Sequence, residues 1–219
     1  MSEWWTYTLA DFLLFSPRTY HRLFALHNAA WWPLQIPALA GGCVIGAALY
    51  RGTGRRIALG VLAAAWAFVA WAFHLERYAT INWAATWFAA GFALQAALLL
   101  VAAWRLPIDG DASPARRRVG LVLVGLALIG MPLLAAASGR PWAQAEVFGL
   151  VPDPTVLATL GVLLMLPRSA WWLWPVPLLW CAAGGATLWA MDEPVALVLP
   201  VAGVLAVVLR AALRTAARQ

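Results

Sequence analysis

The sequence predicts an all-α membrane protein: a seven-transmembrane-helix bundle preceded by an amphipathic interfacial helix. Three observations predict it. Of 219 residues, 64% are apolar and only 11% are charged, against about 45–50% and about 25% in a soluble domain. The apolar residues fall into seven runs of near-membrane length. The arginines gather in alternate connections between those runs. With a mean hydropathy of +0.79, this composition excludes a soluble enzyme and a disordered chain.

Residues 1–33 form the first unit. Asp11, Arg18, His21, Arg22, His27 and Asn28 are spread through it, and so many polar groups are too costly for a span. Ser16-Pro17 reads as an N-cap followed by proline at the first helical position. From there Tyr20, Phe24, His27 and Trp31 share one helical face, while Arg18 and Arg22 share another. An amphipathic helix rich in Arg and Trp is expected to lie in the interface plane.

The bundle proper is expected over 34–213, with a short basic tail over 214–219. Its spans are Leu34–Tyr50, Ile57–Phe73, Asn82–Trp104, Val119–Ser138, Thr155–Pro167, Trp171–Met191 and Val195–Leu213. The fifth is short. Its 13 residues reach only about 20 Å at 1.5 Å per residue, against a hydrocarbon core of about 30 Å. Gly42 with Gly46 is read as a small-residue pair that lets helices approach.

All 15 cations are Arg. Eleven fall on one side: Arg51, Arg55, Arg56, Arg105, Arg116, Arg117, Arg118, Arg168, Arg210, Arg214 and Arg218. Four fall on the other: Arg18, Arg22, Arg77 and Arg140. The acids favour the second side, with Asp109 and Asp111 the exceptions. The positive-inside rule then places the N-terminus outside and the C-terminus in the cytoplasm. The same rule accounts for a pI near 10.3 without nucleic acid, for which no basic stretch is long enough.

Several stretches resemble an uncharacterised bacterial multi-pass inner-membrane protein family, catalogued as a domain of unknown function. They are DFLLFSPRTYHRLFALHNAAWWP at 11–33, INWAATWFAAGFALQAALLL at 81–100, FGLVPDPT at 148–155 and PLLWCAAGGATLWAMDEP at 177–194. Asp153 stands where that family's pattern has Cys, and His21 and His27 stand where it has aromatics. The resemblance implies a bacterial inner-membrane bundle and supplies no catalytic residues or cofactor.

The residues themselves exclude some chemistry. A retinal Schiff base needs a lysine amine, and the chain has no Lys. A zinc site needs three or four clustered ligands; His21 and His27 are six residues apart and point about 120° apart on a helix. Cys43 and Cys181 sit near mid-membrane and with Met131 suggest a soft-metal relay, but they read better as small apolar residues beside glycines. Whether any metal binds is left open, and no cofactor is expected. No Asp, Glu, Arg or His falls mid-span as drawn. That disfavours an ion-coupled pump, and Gln95 reads as an interhelical hydrogen bond.

The polar groups concentrate at the outer ends of the spans. The candidate ligand-binding residues are His74, Glu76, Asn82, Arg22, Glu146 and Asp153, with Glu76 as the leading carboxylate. Asp153 also reads as the N-cap of span 5, and Asp192-Glu193-Pro194 as a cap for span 7. The preferred function is binding or transport of a small solute or ion through an outward-facing vestibule. The alternative is a non-catalytic accessory or interaction subunit of a membrane complex, and the third is a metal-dependent intramembrane enzyme. Expected partners are membrane lipids, a small solute or cation, or another membrane protein. A central cavity would favour the first reading, a solid bundle with an apolar side groove the second, and three convergent metal ligands the third.

Overall fold

The computed structural model describes residues 15–106, 113–166 and 168–215. Glu3, Asp11, Asp109, Asp111 and Arg218 lie outside them. All of the described regular structure is helical.

Helix α1 (Pro17–Ala30) starts as its sequence dictates. The Ser16 hydroxyl accepts the Thr19 N–H at 3.2 Å, and Pro17 occupies the first turn. Tyr20, His21, Leu23, Phe24 and His27 are buried, while Arg18 and Arg22 are exposed. The chain then turns by 96° into α2 (Gln35–Arg51). Gly52 and Gly54, at φ 69° and 77°, allow the tight connection to α3 (Arg55–Phe68).

Helix α3 continues as a π-helical stretch, Val69–Leu75, which carries His74. Asn82 accepts the Ala84 N–H at 3.0 Å in the turn before α4 (Ala85–Arg105). Helix α5 (Pro114–Gly125) runs through a π-helical stretch, Leu126–Gly130, into α6 (Met131–Ala137). Pro132 lacks the N–H that an unbroken α-helix needs, and the wider turn precedes it. Helix α7 (Pro152–Met165) is followed by a 3₁₀ turn at Arg168–Leu173, then α8 (Pro175–Ala190) and α9 (Val198–Thr215).

These helices follow the apolar runs closely, but their lengths amend the expected span count. Four helical stretches are long and apolar enough to cross a membrane: Arg55–Thr80, Ala85–Arg105, Pro114–Ala137 and Ala170–Ala190. The bent pair α1–α2 makes a fifth if it counts as one span. The chain is therefore a membrane-associated helical bundle. α2 has 17 residues, and α7 and α9 are shorter apolar helices, below the usual length of about 20 residues.

Helix α7 is the centre of the fold. All 14 of its residues are buried, so it has no face turned outward. α5 crosses it at a glycine pair: a Cβ on Gly120 would lie 2.7 Å from the Gly161 carbonyl oxygen, and one on Gly161 2.7 Å from that of Gly120. This is a close approach of two backbones; Gly42 makes a second tight contact between helices, with a side chain, and Gly46 makes none. Gly42 packs on Leu128, and Gly46 has nothing within 4 Å.

Several core polar groups bond across helices. Trp66 Nε1 donates to Thr159 Oγ1 at 2.8 Å. Gln95 donates across helices to the Leu173 carbonyl at 3.1 Å. Arg210, 1% exposed, donates to the Leu163 and Leu166 carbonyls at 2.8 and 3.0 Å. Its guanidinium lies over Trp171 and Trp174, 5.1 and 5.3 Å from the ring centres. A cation there meets the negative end of the α7 dipole. Arg210 is thus a buried cap of α7, not a charge of the basic tail.

Candidate functional site

The N-terminal end of α7 gathers the polar side chains. FGLVPDPT builds this end. Gly149 takes φ 78° and donates its N–H to Thr155 Oγ1 at 3.0 Å, which folds the loop back onto the first turn. Asp153 lies inside that turn and is buried. It does not cap α7; the residue at the cap is Val151. Its carboxylate accepts Trp180 Nε1 of α8 at 2.8 Å.

Glu146, in the connection before α7, accepts Arg140 Nη2 at 3.2 Å. Arg140 Nη1 meets His21 Nδ1 of α1 at 2.9 Å. His21 Nε2 meets Glu193 Oε1, after α8, at 2.7 Å. Asp192 adopts φ 55° in the turn that ends α8, well before α9 begins, so 192–194 does not cap α9.

The donors fix the histidine tautomer. A guanidinium only donates, so His21 Nδ1 accepts from Arg140. Its Nε2 then carries the proton and donates to Glu193. The ring is neutral, because a second proton on Nδ1 would face an N–H of Arg140. Burial pushes the His21 pKa down, the Glu193 hydrogen bond opposes this, and Arg140 adds to the fall. Burial pushes the Glu146 carboxyl up, the Asp153 charge adds to the rise, and Arg140 pulls it back. With both guanidinium tips engaged, the carboxylates remain the acceptors for any incoming donor.

A cavity of about 10 Å³ lies among Arg140, Glu146 and Asp153, room for about one water. Met131, Leu134 and Val198 line it as well, and the same three residues line an apolar groove of about 670 Å³. That groove opens sideways between α5–α6 and α9, with Leu157 of α7 also lining it. Polar cavity and apolar groove are therefore neighbours along one helix pair.

Of the six candidate residues, Glu146 and Asp153 lie in this cluster. His74 is fully buried among rings, 4.5 Å from Phe92 and 5.1 Å from Trp180. It reaches Asp153 only through Trp180. Glu76 is exposed, and no hydrogen bond or ion pair among the described residues ties it to the cluster. Asn82 lies in the turn before α4 and accepts the Ala84 N–H, and Arg22 is on the exposed face of α1. Cys43 is exposed on α2, and Cys181 is buried against Gly203 of α9. Among the described residues, no three His, Cys, Asp or Glu side chains converge on a point that could hold a metal.

His21, Arg140, Glu193 and Trp180 were outside the candidate set. Arg140 and Glu146 are brought together by an irregular loop containing a 3₁₀ turn, Trp142–Gln144, which carries no periodicity. His21 did carry a signal, since it falls between two aromatics of the buried face of α1.

Residues 18–219 match a family of unknown function (DUF6064). No curated protein and no solved structure matches the chain.

Proposed function

We propose, for a chain that belongs to DUF6064, a non-catalytic membrane protein that holds one long-chain amphiphile from the bilayer in the groove between α5–α6 and α9. The observation that carries this reading is the shape and lining of the groove. It runs from Val119 to Leu134, 15 residues or about 22 Å at 1.5 Å per residue. A volume of about 670 Å³ over that length averages about 30 Å² in cross-section. Its lining is apolar throughout, so an extended hydrocarbon chain laid along it meets only apolar side chains and glycine. At one end the groove adjoins the small polar cavity beside Glu146 and Asp153.

A vestibule for small polar solutes has less support, because α7 fills the axis and the polar cavity takes about one water. Docking of a second membrane protein is the competing use of the same groove.

In this reading seven segments cross the membrane: α2, α3, α4, α5–α6, α7, α8 and α9. A central helix encased by protein need not match the hydrocarbon thickness, which supports a 14-residue crossing. The 96° bend supports α1 lying along the surface when α2 crosses. Setting Arg210 aside leaves an arginine split of 10 to 4, which still supports an outer N-terminus and a cytoplasmic C-terminus. The family resemblance of the motifs supports the bacterial cytoplasmic membrane.

Native mass spectrometry of the full chain, extracted in mild detergent, tests the groove. Wild type should retain one phospholipid. Ala202→Trp, within the groove, should reduce retention at least about fivefold, which corresponds to about 1 kcal/mol. Ala186→Trp, on the exposed side of α8, should not. Wild type without lipid, or equal retention by both variants, would refute the reading. A bound protein in place of lipid would establish the competing use.

A further inference from the structure

We propose that the arginine-rich end of the bundle binds the phosphate of an anionic lipid headgroup. Two basic segments far apart in sequence form one surface there. Arg51 ends α2, and Arg55 and Arg56 begin α3. Arg117 comes from the first turns of α5. Its guanidinium rests against Gly52: a Cβ at that glycine would lie 2.8 Å from Arg117 Nη2. The left-handed turn at Gly52 thus leaves bare backbone where a side chain would push Arg117 away. Arg51, which precedes Gly52, and Arg118, which follows Arg117, are exposed, as is Arg56 at the start of α3.

The charge is unbalanced among the described residues. Glu146, Asp153, Asp192 and Glu193 lie at the N-terminal end of α7, and Glu76 lies at the far end of α3 from Arg55. The turn at Gly52 instead borders Met165 and Leu166, at the C-terminal end of α7. Arginines gathered at one end of the bundle repel one another, and a phosphate relieves that repulsion while matching their forked donors.

The neighbouring residues select a lipid phosphate over a free one. Tyr50, 71% exposed, adjoins Arg51, and Ile57, 59% exposed, adjoins Arg56. Exposed apolar side chains next to arginine mark the boundary between hydrocarbon and headgroups. A phosphate held at that level belongs to the leaflet. This inference does not depend on the side groove, which opens between other helix faces.

Nanodiscs of phosphatidylcholine carrying a minor share of phosphatidylglycerol, with the full chain inserted, provide the test. Lipids retained after release into detergent are identified by native mass spectrometry. Wild type should enrich phosphatidylglycerol. Each Arg→Gln change should reduce that enrichment about fivefold, the equivalent of about 1 kcal/mol per basic residue at an anionic surface. Arg51→Gln/Arg117→Gln should therefore lose about 25-fold. Arg56→Gln/Arg118→Gln, both exposed, gives the same test should the first pair fail to fold. Arg18→Gln/Arg22→Gln, on α1, should retain wild-type enrichment.

Three results would overturn the proposal. Wild type could show no preference for phosphatidylglycerol. Both double variants could retain the enrichment. Excess inorganic phosphate could displace the lipid fully, which would make this a free-phosphate site.

Discussion

Replacing Arg140 with methionine keeps most of the side-chain length and removes the guanidinium. In the native protein that group bonds Glu146 at 3.2 Å and His21 at 2.9 Å. The Arg140 and Glu146 side chains are only 9% and 8% exposed, so solvent screens the pair weakly. Removing one partner of a buried ion pair costs about 3–5 kcal/mol, because the other charge is left uncompensated. Glu146 has a way to reduce this cost: it can take a proton. Burial already holds its pKa above the usual carboxylate range, and the Asp153 charge adds to the rise.

Within the window between the unfolded and folded pKa, folded Glu146 keeps a proton that the unfolded chain has lost. Its contribution to stability is therefore complete below the unfolded pKa and is lost as pH rises through the folded one. Arg140→Met should raise the folded pKa further, so its penalty grows as pH rises. Glu146→Gln removes the charge and should cost only about 1–2 kcal/mol. The double variant should be more stable than Arg140→Met alone at alkaline pH, with a coupling of about 2 kcal/mol. Thermal unfolding in detergent, followed by the emission of the 15 tryptophans, reads this directly. A loss of 3 kcal/mol lowers the midpoint by about 6–12 °C at this chain length. The reasoning fails if Arg140→Met melts with wild type across the pH range, or if the two substitutions are additive.

Other consequences are independent of that cluster. Gly161→Ala sets a methyl group against the Gly120 carbonyl and should cost about 1–3 kcal/mol; Gly60→Ala, with nothing within 4 Å of the new methyl, should be neutral in the same melting assay. Arg210→Met leaves the Leu163 and Leu166 carbonyls without their donor and should cost about 2–3 kcal/mol, with Arg210→Lys failing to restore full stability. Cysteines placed at Thr19 and Arg22 should react with an impermeant thiol reagent from outside, while one at Phe24, 2% exposed, should be protected. A reporter fused after Gln219 should be cytoplasmic and one fused before Ser2 external; finding both on one side would exclude seven crossings.

The helices were legible because hydrophobic runs and caps are local signals. Ser16-Pro17 marked the start of α1, and the 20/24/27 stripe marked its buried face. The span count was less legible. Apolar length identifies a helix but does not say whether lipid or protein surrounds it, and α7 is apolar on every side because other helices enclose it. The polar site was legible in its end of the bundle and in Glu146 and Asp153, which sit beside proline-rich turns. Its pairing was not. Arg140 and Glu193 are 53 positions apart, each in a turn, and only the packing of α1 across that end joins them through His21. Glu76 read more strongly than Glu146, yet the π-helical stretch Val69–Leu75 carries His74 into a cluster of rings and Glu76 is exposed just beyond it. Arg210 had the sequence context of a tail cation, and its role as a cap depends on where α9 crosses the end of α7.

Photo-crosslinking in native membranes tests the central claim, that the groove between α5–α6 and α9 holds a lipid chain. A phospholipid with a diazirine on its acyl chain is supplied, activated, and mapped by peptide mass spectrometry. Adducts should concentrate on groove residues such as Val122, Leu126, Val201 and Leu205, exceed those on the exposed face of α4 at Leu94 and Val101, and fall in Ala202→Trp. Adducts spread evenly over all lipid-exposed helix faces, and unchanged by Ala202→Trp, would contradict the account.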